Sequence, residues 1–286
     1  MKYIDTTVSE SFREEVSKPD SVLSLARAGL YFAKSRYSNV DCFWYLEQLA
    51  LAANEILKRV SEKDSFERKL SIVTGYLFDE LGYEGNAENY YDPKNSYLHE
   101  VIERRVGIPI SLSVIFLDIA DRVGINAVGV PFPGHFLVRA SDPKHSNFDP
   151  MIVDPFDGGS CLSQDLFVSR FQDRLETPRE RAEVEAMLRP ASKKEIMIRQ
   201  FRNLLAIYSN EKSFEECLLV VNHILYLAPD MLNELLHRGS LFSEMGHPSA
   251  AIIDFERALT LSNDPELTQK LHTLIHDAKL QRKPVH

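Results

Sequence analysis

Residues that can move protons or attack carbon occur in the middle third of this 286-residue chain. A histidine, His135, follows a Pro-Gly pair, and Asp154 ends a short β-like run. Hydroxyl groups are available at Ser111 and Ser113, and a thiol at Cys161. Imidazole exchanges protons near neutral pH, and a hydroxyl or thiol becomes a nucleophile where a base lies within about 3 Å of it. These residue types are those of acyl transfer and hydrolysis, provided that the fold brings them together.

Composition and charge argue against several other classes of function. The formal net charge is −9, which disfavours a nucleic-acid partner because phosphate binding needs clustered Lys and Arg. The cysteines form no C-x-x-C pair, so we expect neither a zinc site nor a disulfide framework. The glycines form no phosphate-binding loop, so we expect no nucleotide and no other cofactor. A polar, acidic N-terminus and the lack of a stretch of about 20 apolar residues favour a cytoplasmic protein with no membrane contact.

The elements that would position these residues are predicted from hydrophobic periodicity. Apolar residues at three- and four-residue steps predict two helices within residues 21–60 and further helices over Ser65–Leu81, Ser96–Arg105 and Pro109–Val123. Short runs bounded by Gly, Pro, Asp or Asn predict strands over Ala127–Val130, His135–Ala140 and Met151–Val153. Helices followed by a small antiparallel sheet indicate the α+β class.

A sequence offset of 34 residues predicts a different architecture for the C-terminal part. Apolar or small residues recur at this offset in the pairs Tyr208 and Phe242, Cys217 and Ala251, Val221 and Phe255, Ile224 and Ala258, and Leu227 and Leu261. The offset is the period of tetratricopeptide repeats, which are pairs of packed helices. We therefore predict repeats at about 198–231 and 232–265, within an all-α region 191–286 that follows a core of residues 1–190. The border lies in the charged, proline-containing stretch Thr177–Glu195.

Several motifs resemble, in sequence and in order, the bacterial SirB-type proteins. They fall mainly within residues 85–165 and are Asn89–Pro93, Asn95–Leu98, Arg104–Ser113, Pro133–Val138 and Asp154–Gly159. SirB-type proteins combine a transglutaminase-like core with C-terminal tetratricopeptide repeats, and the likeness extends from about Leu23 to Pro265. The resemblance therefore implies this helix-rich α+β core followed by the repeats.

The resemblance also implies a site. Transglutaminase-like proteins are similar to papain in using a cysteine at the start of a buried helix, a histidine on a following strand and an aspartate on the next strand. Here His135 matches the histidine and Asp154 the aspartate. The family's Gly-x-Cys pattern falls on Gly107-Ile108-Pro109, so Pro109 occupies the nucleophile position. Proline has no side-chain nucleophile, and the usual thiol chemistry is absent.

Three residues are candidates to replace the missing thiol. With about 100° per helical residue, Ser111 lies roughly 200° around from Pro109 and faces away from the site. Ser113 returns to nearly the same face about 6 Å further along the helix. Each hydroxyl also has a structural interpretation, as a contact near the helix start for Ser111 and as a bond to the carbonyl four residues back for Ser113. Cys161 lacks a helix N-terminus to activate its thiol.

The histidine and the preceding loop have alternative interpretations as well. We predict that His135 shares a strand face with Leu137 and Arg139 and pairs with Asp154 at a pocket, although Asp154 can instead end its strand in a plain turn. The polar loop 86–95 precedes the site helix. Its side chains are candidates to bind polar groups of a ligand, or to satisfy the backbone of the loop itself, and they are those of Asn89, Tyr90, Tyr91 and Asn95.

Two functions follow as competing hypotheses, and a third possibility is that the cleft is a vestige and only the repeats function. In the first, the protein is a pseudoenzyme that binds a protein or peptide partner through its degenerate cleft and its repeats, since repeats of this kind offer extended binding surfaces. In the second, it is a hydrolase or acyl-transfer enzyme that uses His135 and Asp154 with Ser113, Ser111 or Cys161 as a non-standard nucleophile. Pro109 favours the first hypothesis.

Overall fold

The computed structural model describes residues 8–142, 149–170 and 186–281. Their contacts divide the chain into two compact units. One unit is Ser11–Gln200, and the other comprises Phe201 onward together with the described residues that precede Ser11. Residues 177–185 of the predicted junction lie outside the described residues, and the border near residue 190 stays a prediction.

Side-chain caps set the starts of three of the first four helices. These helices are α1 Glu10–Val16, α2 Leu25–Arg36, α3 Cys42–Leu57 and α4 Phe66–Thr74, and α4 continues as a π-helical segment over Gly75–Glu80. The hydroxyl of Ser24 accepts a hydrogen bond from the Arg27 amide at 3.2 Å. This cap explains why α2 begins at Leu25, although the apolar pattern already begins at Val22.

The middle of the first unit contains its most buried helix. Strands β1 Glu84–Gly85 and β2 Val106–Gly107 form a parallel pair, and the chain between them includes a 3₁₀ turn over Pro93–Asn95 and helix α5 Leu98–Arg104. Helix α6, Pro109–Arg122, follows β2 directly. Ten of its 14 residues are buried, so both sides of its first two turns lie in the core.

An antiparallel sheet follows α6. Its strands are β3 Asn126–Val130, β4 Leu137–Ser141, β5 Met151–Asp154 and β6 Ser160–Ser163, in the order β3-β4-β5-β6, and a short helix α7 Gln164–Ser169 comes next. Helix α6 packs against β3 and β4. The sequence does not predict β6, because its four residues show no apolar alternation. They form a strand through pairing with β5, from Met151 opposite Ser163 to Asp154 opposite Ser160.

The strand predicted to begin at His135 begins two residues later in the structure. Strand β4 starts at Leu137, and His135 lies in the preceding turn, where its amide donates to the Phe132 carbonyl at 3.0 Å. Gly134 makes this turn possible with a φ of 70°, which favours glycine. The prediction that His135 shares a strand face with Leu137 and Arg139 is therefore wrong.

The C-terminal helices confirm the repeat architecture. They are α8 Lys193–Glu211, α9 Phe214–Leu227, α10 Leu232–Glu244, α11 Pro248–Leu261 and α12 Pro265–Gln281. Helices α9 and α11 begin 34 residues apart and also end 34 residues apart. A Cβ on Gly239 would lie 2.5 Å from the Phe255 ring, so the glycine allows α10 to approach α11 closely. The predicted α+β core and all-α repeat region are both confirmed.

Candidate functional site

His135 and Asp154 form a hydrogen-bonded pair at the ends of two adjacent strands. His135 Nε2 lies 2.7 Å from Asp154 Oδ2. The side chains are 27% and 24% exposed respectively, so the pair is accessible to a ligand without being fully solvated. Because β4 and β5 are paired antiparallel, the start of β4 lies beside the end of β5. His135, shortly before β4, and Asp154, the last residue of β5, therefore meet at one end of these strands.

The second oxygen of Asp154 holds the turn that follows β5. Oδ1 accepts from the Phe156 amide at 3.0 Å and from the Asp157 amide at 3.3 Å. Asp154 therefore combines the two roles considered as alternatives, since it ends the strand in a turn and orients the imidazole. A carboxylate fixed by two backbone amides holds its remaining oxygen in one place, which pre-positions the histidine ring.

Arg199 secures the backbone around His135. Its Nη2 donates to the carbonyl of His135 at 2.7 Å and to that of Phe132 at 3.2 Å. Burial lowers the pKa of the Arg199 guanidinium. Sequence reasoning missed this residue, because helical periodicity assigns it to the repeat region and no local pattern connects it with a turn more than 60 residues earlier.

Aromatic rings lie beside the imidazole. The Phe156 ring is 6.0 Å from that of His135 in an edge-to-face arrangement, and the Tyr90 ring is 6.1 Å from Phe156. Tyr91, next to Tyr90, is 74% exposed. A Cβ on Gly85 would come within 2.5 Å of the Phe156 ring, so the lack of a side chain at Gly85 leaves the room that this ring occupies. The site therefore has an apolar side formed partly by the loop 86–95.

The loop residues proposed to bind a ligand divide into two groups. Asn95 is fully buried, and its amide nitrogen donates to the carbonyls of Asn89 at 2.8 Å and Tyr90 at 3.3 Å. Its side-chain oxygen accepts from Asn86 and Arg104. Asn95 thus satisfies the backbone of the loop, whereas the side chains of Asn89 and Tyr91 are exposed and that of Tyr90 is partly buried.

Both serines of the site helix are engaged at its start. Ser111 Oγ donates to the Asn95 carbonyl at 2.6 Å and accepts from the Ile108 amide at 3.1 Å. Ser113 Oγ donates to the carbonyl of Pro109, four residues back, at 2.7 Å. Both side chains are fully buried. Among the described residues, Asp154 is the only side chain that hydrogen-bonds the imidazole of His135.

Backbone pairing connects the helix start with the His–Asp pair. Gly85, which contacts Phe156, pairs in register with Gly107 across β1 and β2. Gly107 lies two residues before Pro109, the first residue of α6. Pro109 suits this position because the first helical amide has no partner within the helix. The start of α6 therefore lies in the same region of the fold as Phe156 and the adjacent His135.

Cys161 is a poor nucleophile in this environment. It lies on β6 opposite Val153, and burial raises the pKa of its thiol to about 11. The thiol is therefore protonated at neutral pH, and only a thiolate attacks carbon efficiently. Within the described ranges there is no cluster of three His, Cys, Asp or Glu side chains that could hold a metal ion. None of the helices that the structure describes is long and apolar enough to span a membrane.

Family models match the chain over two adjacent stretches. Residues 43–202 match the transglutaminase-like superfamily, and residues 204–276 match the tetratricopeptide repeat. The chain therefore belongs to the transglutaminase-like superfamily, with a tetratricopeptide-repeat region after the core. The predicted combination of these two regions is confirmed.

The chain is also similar to individual proteins. A UPF0162 protein of Xylella fastidiosa (strain Temecula1) is 37% identical over 244 residues, which are 85% of each chain. F-box only protein 21 of Homo sapiens is 28% identical over 252 residues, a match that covers 86% of this chain and 37% of that protein. A crystal structure of menin is 12% identical with a TM-score of 0.39, over 97% of this chain and 75% of that chain. The likeness to menin is too weak to support an argument.

Proposed function

We propose that this protein is a non-catalytic member of its superfamily, which binds a protein or peptide partner through the His135 site and the repeats. The observation that carries the proposal is Pro109, which begins the site helix where the family resemblance places the nucleophile. The hydroxyls of the site helix, on Ser111 and Ser113, are buried and bonded to carbonyls. Covalent catalysis requires a nucleophile within hydrogen-bonding reach of the histidine, and these two side chains do not supply one.

The remaining groups at the site suit recognition. With Nε2 bonded to Asp154, the Nδ1 atom of His135 remains to bond a ligand. The adjacent rings of Phe156 and Tyr90 offer an apolar contact. A peptide segment presents both a polar backbone group and an apolar side chain, so it matches this arrangement.

The repeats contribute a separate groove. Its volume is about 380 Å³, and it is lined by residues from the end of α8, the start of α9 and one side of α10. Ser209 Oγ and His237 Nε2 lie 3.4 Å apart in this groove. Burial lowers the pKa of His237, so its imidazole is neutral at physiological pH and can both donate and accept. Polar groups of this kind bind the backbone of a peptide.

Restoring a thiol at Pro109 tests the proposal for the site. The Pro109→Cys variant places a thiol at a buried helix start, and this thiol is expected to react with iodoacetamide at pH 7 about tenfold faster than the same thiol without His135, because a nearby histidine lowers a thiol pKa. The double variant Pro109→Cys with His135→Ala is the matched control and should lose this acceleration. Alkylation rates, with the modified cysteine identified by mass spectrometry, give the answer.

Hydrolysis assays test the absence of catalysis directly. The unmodified protein and His135→Ala are compared on ester, thioester and peptide substrates, and we expect equal background rates. A rate that falls in His135→Ala would overturn the pseudoenzyme proposal and would establish an enzyme with a non-standard nucleophile.

Site-specific photo-crosslinking tests the binding role. Benzoylphenylalanine is introduced in vivo at Tyr91 beside the histidine site, at Ser240 in the repeat groove, and at the exposed Glu62 as a control. We expect products at positions 91 and 240 that are absent at position 62 and that share one partner. If all three positions give the same products, neither surface binds a specific partner.

A further inference from the structure

Among the described residues, the outer edge of the antiparallel sheet is unpaired beside Ala127. Strand β3 is the edge strand, and the Ala191 amide donates to the Gly129 carbonyl at 2.9 Å from outside the sheet. Gly129 therefore directs its backbone groups away from β4, and the alternation of an antiparallel pair directs those of Ala127 the same way. Within the described residues, no backbone group outside the sheet bonds the amide or carbonyl of Ala127. An unpaired edge of this kind is a template for another extended chain.

A groove of about 400 Å³ runs along this edge. Its apolar floor is formed by small and aliphatic residues from α2, α6, β3 and α8, among them Leu25, Leu117, Ala127, Gly129 and Ile196. Gly129 cannot carry a side chain here, because a Cβ would lie 2.7 Å from the Phe136 ring and 2.8 Å from Ile196. The groove therefore has a closely packed wall at Gly129, and its volume of about 400 Å³ beside the strand edge is the space available to a ligand.

The charges that line the groove are mostly negative. Asp20, Asp118 and Asp121 face one cation, Lys193, whose ammonium group already donates to the Leu23 carbonyl at 2.7 Å. Asp20 accepts from the Lys193 amide at 2.9 Å. Asp118 and Asp121 remain as the carboxylates with capacity for a ligand, so the groove favours a cation.

Asp118 is the most informative of these groups. Its side chain is only 10% exposed, and its Oδ2 accepts from Arg122 Nε at 2.6 Å. No described residue hydrogen-bonds its other oxygen, Oδ1. Burial raises the pKa of this carboxyl group in spite of the nearby cations Arg122 and Arg27. Oδ1 is therefore the atom of this carboxylate at which a cation of a ligand can bond.

We propose that this groove binds an extended peptide segment that carries a lysine or arginine. One residue of the segment exchanges two backbone hydrogen bonds with Ala127, and a basic side chain reaches Asp118 from inside the groove. The open edge selects an extended backbone, and the carboxylates select a basic side chain over a neutral or acidic one. The proposal is independent of the His135 site and of the repeats.

Synthetic peptides provide the test. The probe is an acetylated and amidated pentapeptide of alternating threonine and valine with a central lysine, and matched peptides carry norleucine or glutamate at the centre. Amide chemical shifts of the isotope-labelled full-length protein report the place of binding, and a titration reports its strength. We expect the lysine peptide to shift the signals of Ala127 and Gly129 and to bind about tenfold more tightly than the norleucine peptide.

Variants of the protein and of the peptide separate the two contacts. Asp118→Asn should weaken the lysine peptide to the level of the norleucine peptide and leave the latter unchanged, whereas Glu62→Gln, an equal change of charge at an exposed position, should alter neither. A lysine peptide with N-methylated backbone amides should lose binding, because it cannot donate to the Ala127 carbonyl. The proposal is overturned if the lysine and norleucine peptides bind equally, if N-methylation has no effect, or if the shifts occur elsewhere.

Discussion

Two hydrogen-bonded pairs that each include an aspartate, one in each unit of the chain, show how environment decides what such a pair does. In the repeats, Arg238 binds Asp254 in a bidentate manner, with Nε to Oδ2 at 2.7 Å and Nη2 to Oδ1 at 2.6 Å. Its Nη1 donates to Asn222 at 2.9 Å. The three residues come from α10, α11 and α9 and are at most 5% exposed.

The pair of His135 and Asp154 differs in each of these respects. Its members lie in or beside turns, both are about a quarter exposed, and a single hydrogen bond joins them. Both oxygens of the buried carboxylate accept from Arg238, and the pair connects two helices, so its role is structural. Among the described residues, no side chain bonds the second ring nitrogen of His135, and the pair also has accessible surface, which is what a binding site requires.

Removing one partner of the buried pair should have the largest effect. Asp254→Ala leaves the guanidinium of Arg238 buried with a single side-chain partner, and we expect a loss of about 3–5 kcal/mol in the free energy of unfolding. Urea denaturation followed by circular dichroism measures the change. The matched control is Asp230→Ala, which breaks the exposed pair with Arg257 and should cost less than about 1 kcal/mol.

A double replacement shows whether the buried charges are needed at all. Arg238→Met combined with Asp254→Leu removes both charges and fills most of the space, so it should recover much of the stability lost in Asp254→Ala. If Asp254→Ala itself costs no more than Asp230→Ala, the pair is not structural and the contrast with the histidine site fails.

The packing beside the buried pair should be the next most sensitive feature. Gly239→Ala would place a Cβ 2.5 Å from the Phe255 ring and force α10 away from α11, at a cost of about 1–3 kcal/mol. Thermal and urea unfolding measure it. Gly75→Ala is the control, because its new Cβ would contact only Asp79 at 3.6 Å, and helical alanine is favoured by about 0.5–1 kcal/mol.

Substitutions of Asp154 separate its two roles at the open site. Asp154→Ala removes the acceptor of the Phe156 and Asp157 amides as well as the bond to His135, and should cost about 1–2 kcal/mol. Asp154→Asn keeps the turn and should cost less than about 1 kcal/mol, while it removes the charge that orients the imidazole. Unfolding measurements, together with histidine proton shifts in NMR spectra, distinguish these outcomes. Equal losses in both variants would mean that the charge, and not the turn, stabilises this site.

Asp118 provides an intermediate case, with a buried carboxylate that has one partner. Its pKa is raised by burial, so the folded state binds the proton more tightly than the unfolded state does. The stability that this group contributes is present below the ordinary value of 3.8 and is lost as the pH rises through the folded pKa. Asp118→Asn should therefore be slightly more stable than the unmodified protein at neutral pH, and the difference should shrink toward pH 3. Urea denaturation at a series of pH values checks the sign, and a destabilised variant at pH 7 would show that the bond to Arg122 outweighs burial.

The sequence predicts much of this fold where local patterns are strong. The 34-residue offset of the apolar positions matches the starts and ends of α9 and α11, and Pro109 marks the first residue of the site helix. The hydroxyl of Ser113 bonds the carbonyl four residues back, as expected for a buried helix. These features depend on residues within one or two helical turns, and such interactions can be inferred from spacing alone.

Tertiary structure decided the features that depend on distant residues. Strand β6 forms because it pairs with β5. His135 lies in a turn whose backbone is hydrogen-bonded by Arg199, a residue distant from it in the sequence. Spacing alone leaves Asp154 as either a turn residue or a partner of His135, whereas its two carboxylate oxygens perform both tasks. Hydrophobic periodicity predicts which face of a helix or strand is buried, but it does not predict which elements pack against each other. The residues of the histidine site and of the groove at Ala127 are brought together by that packing.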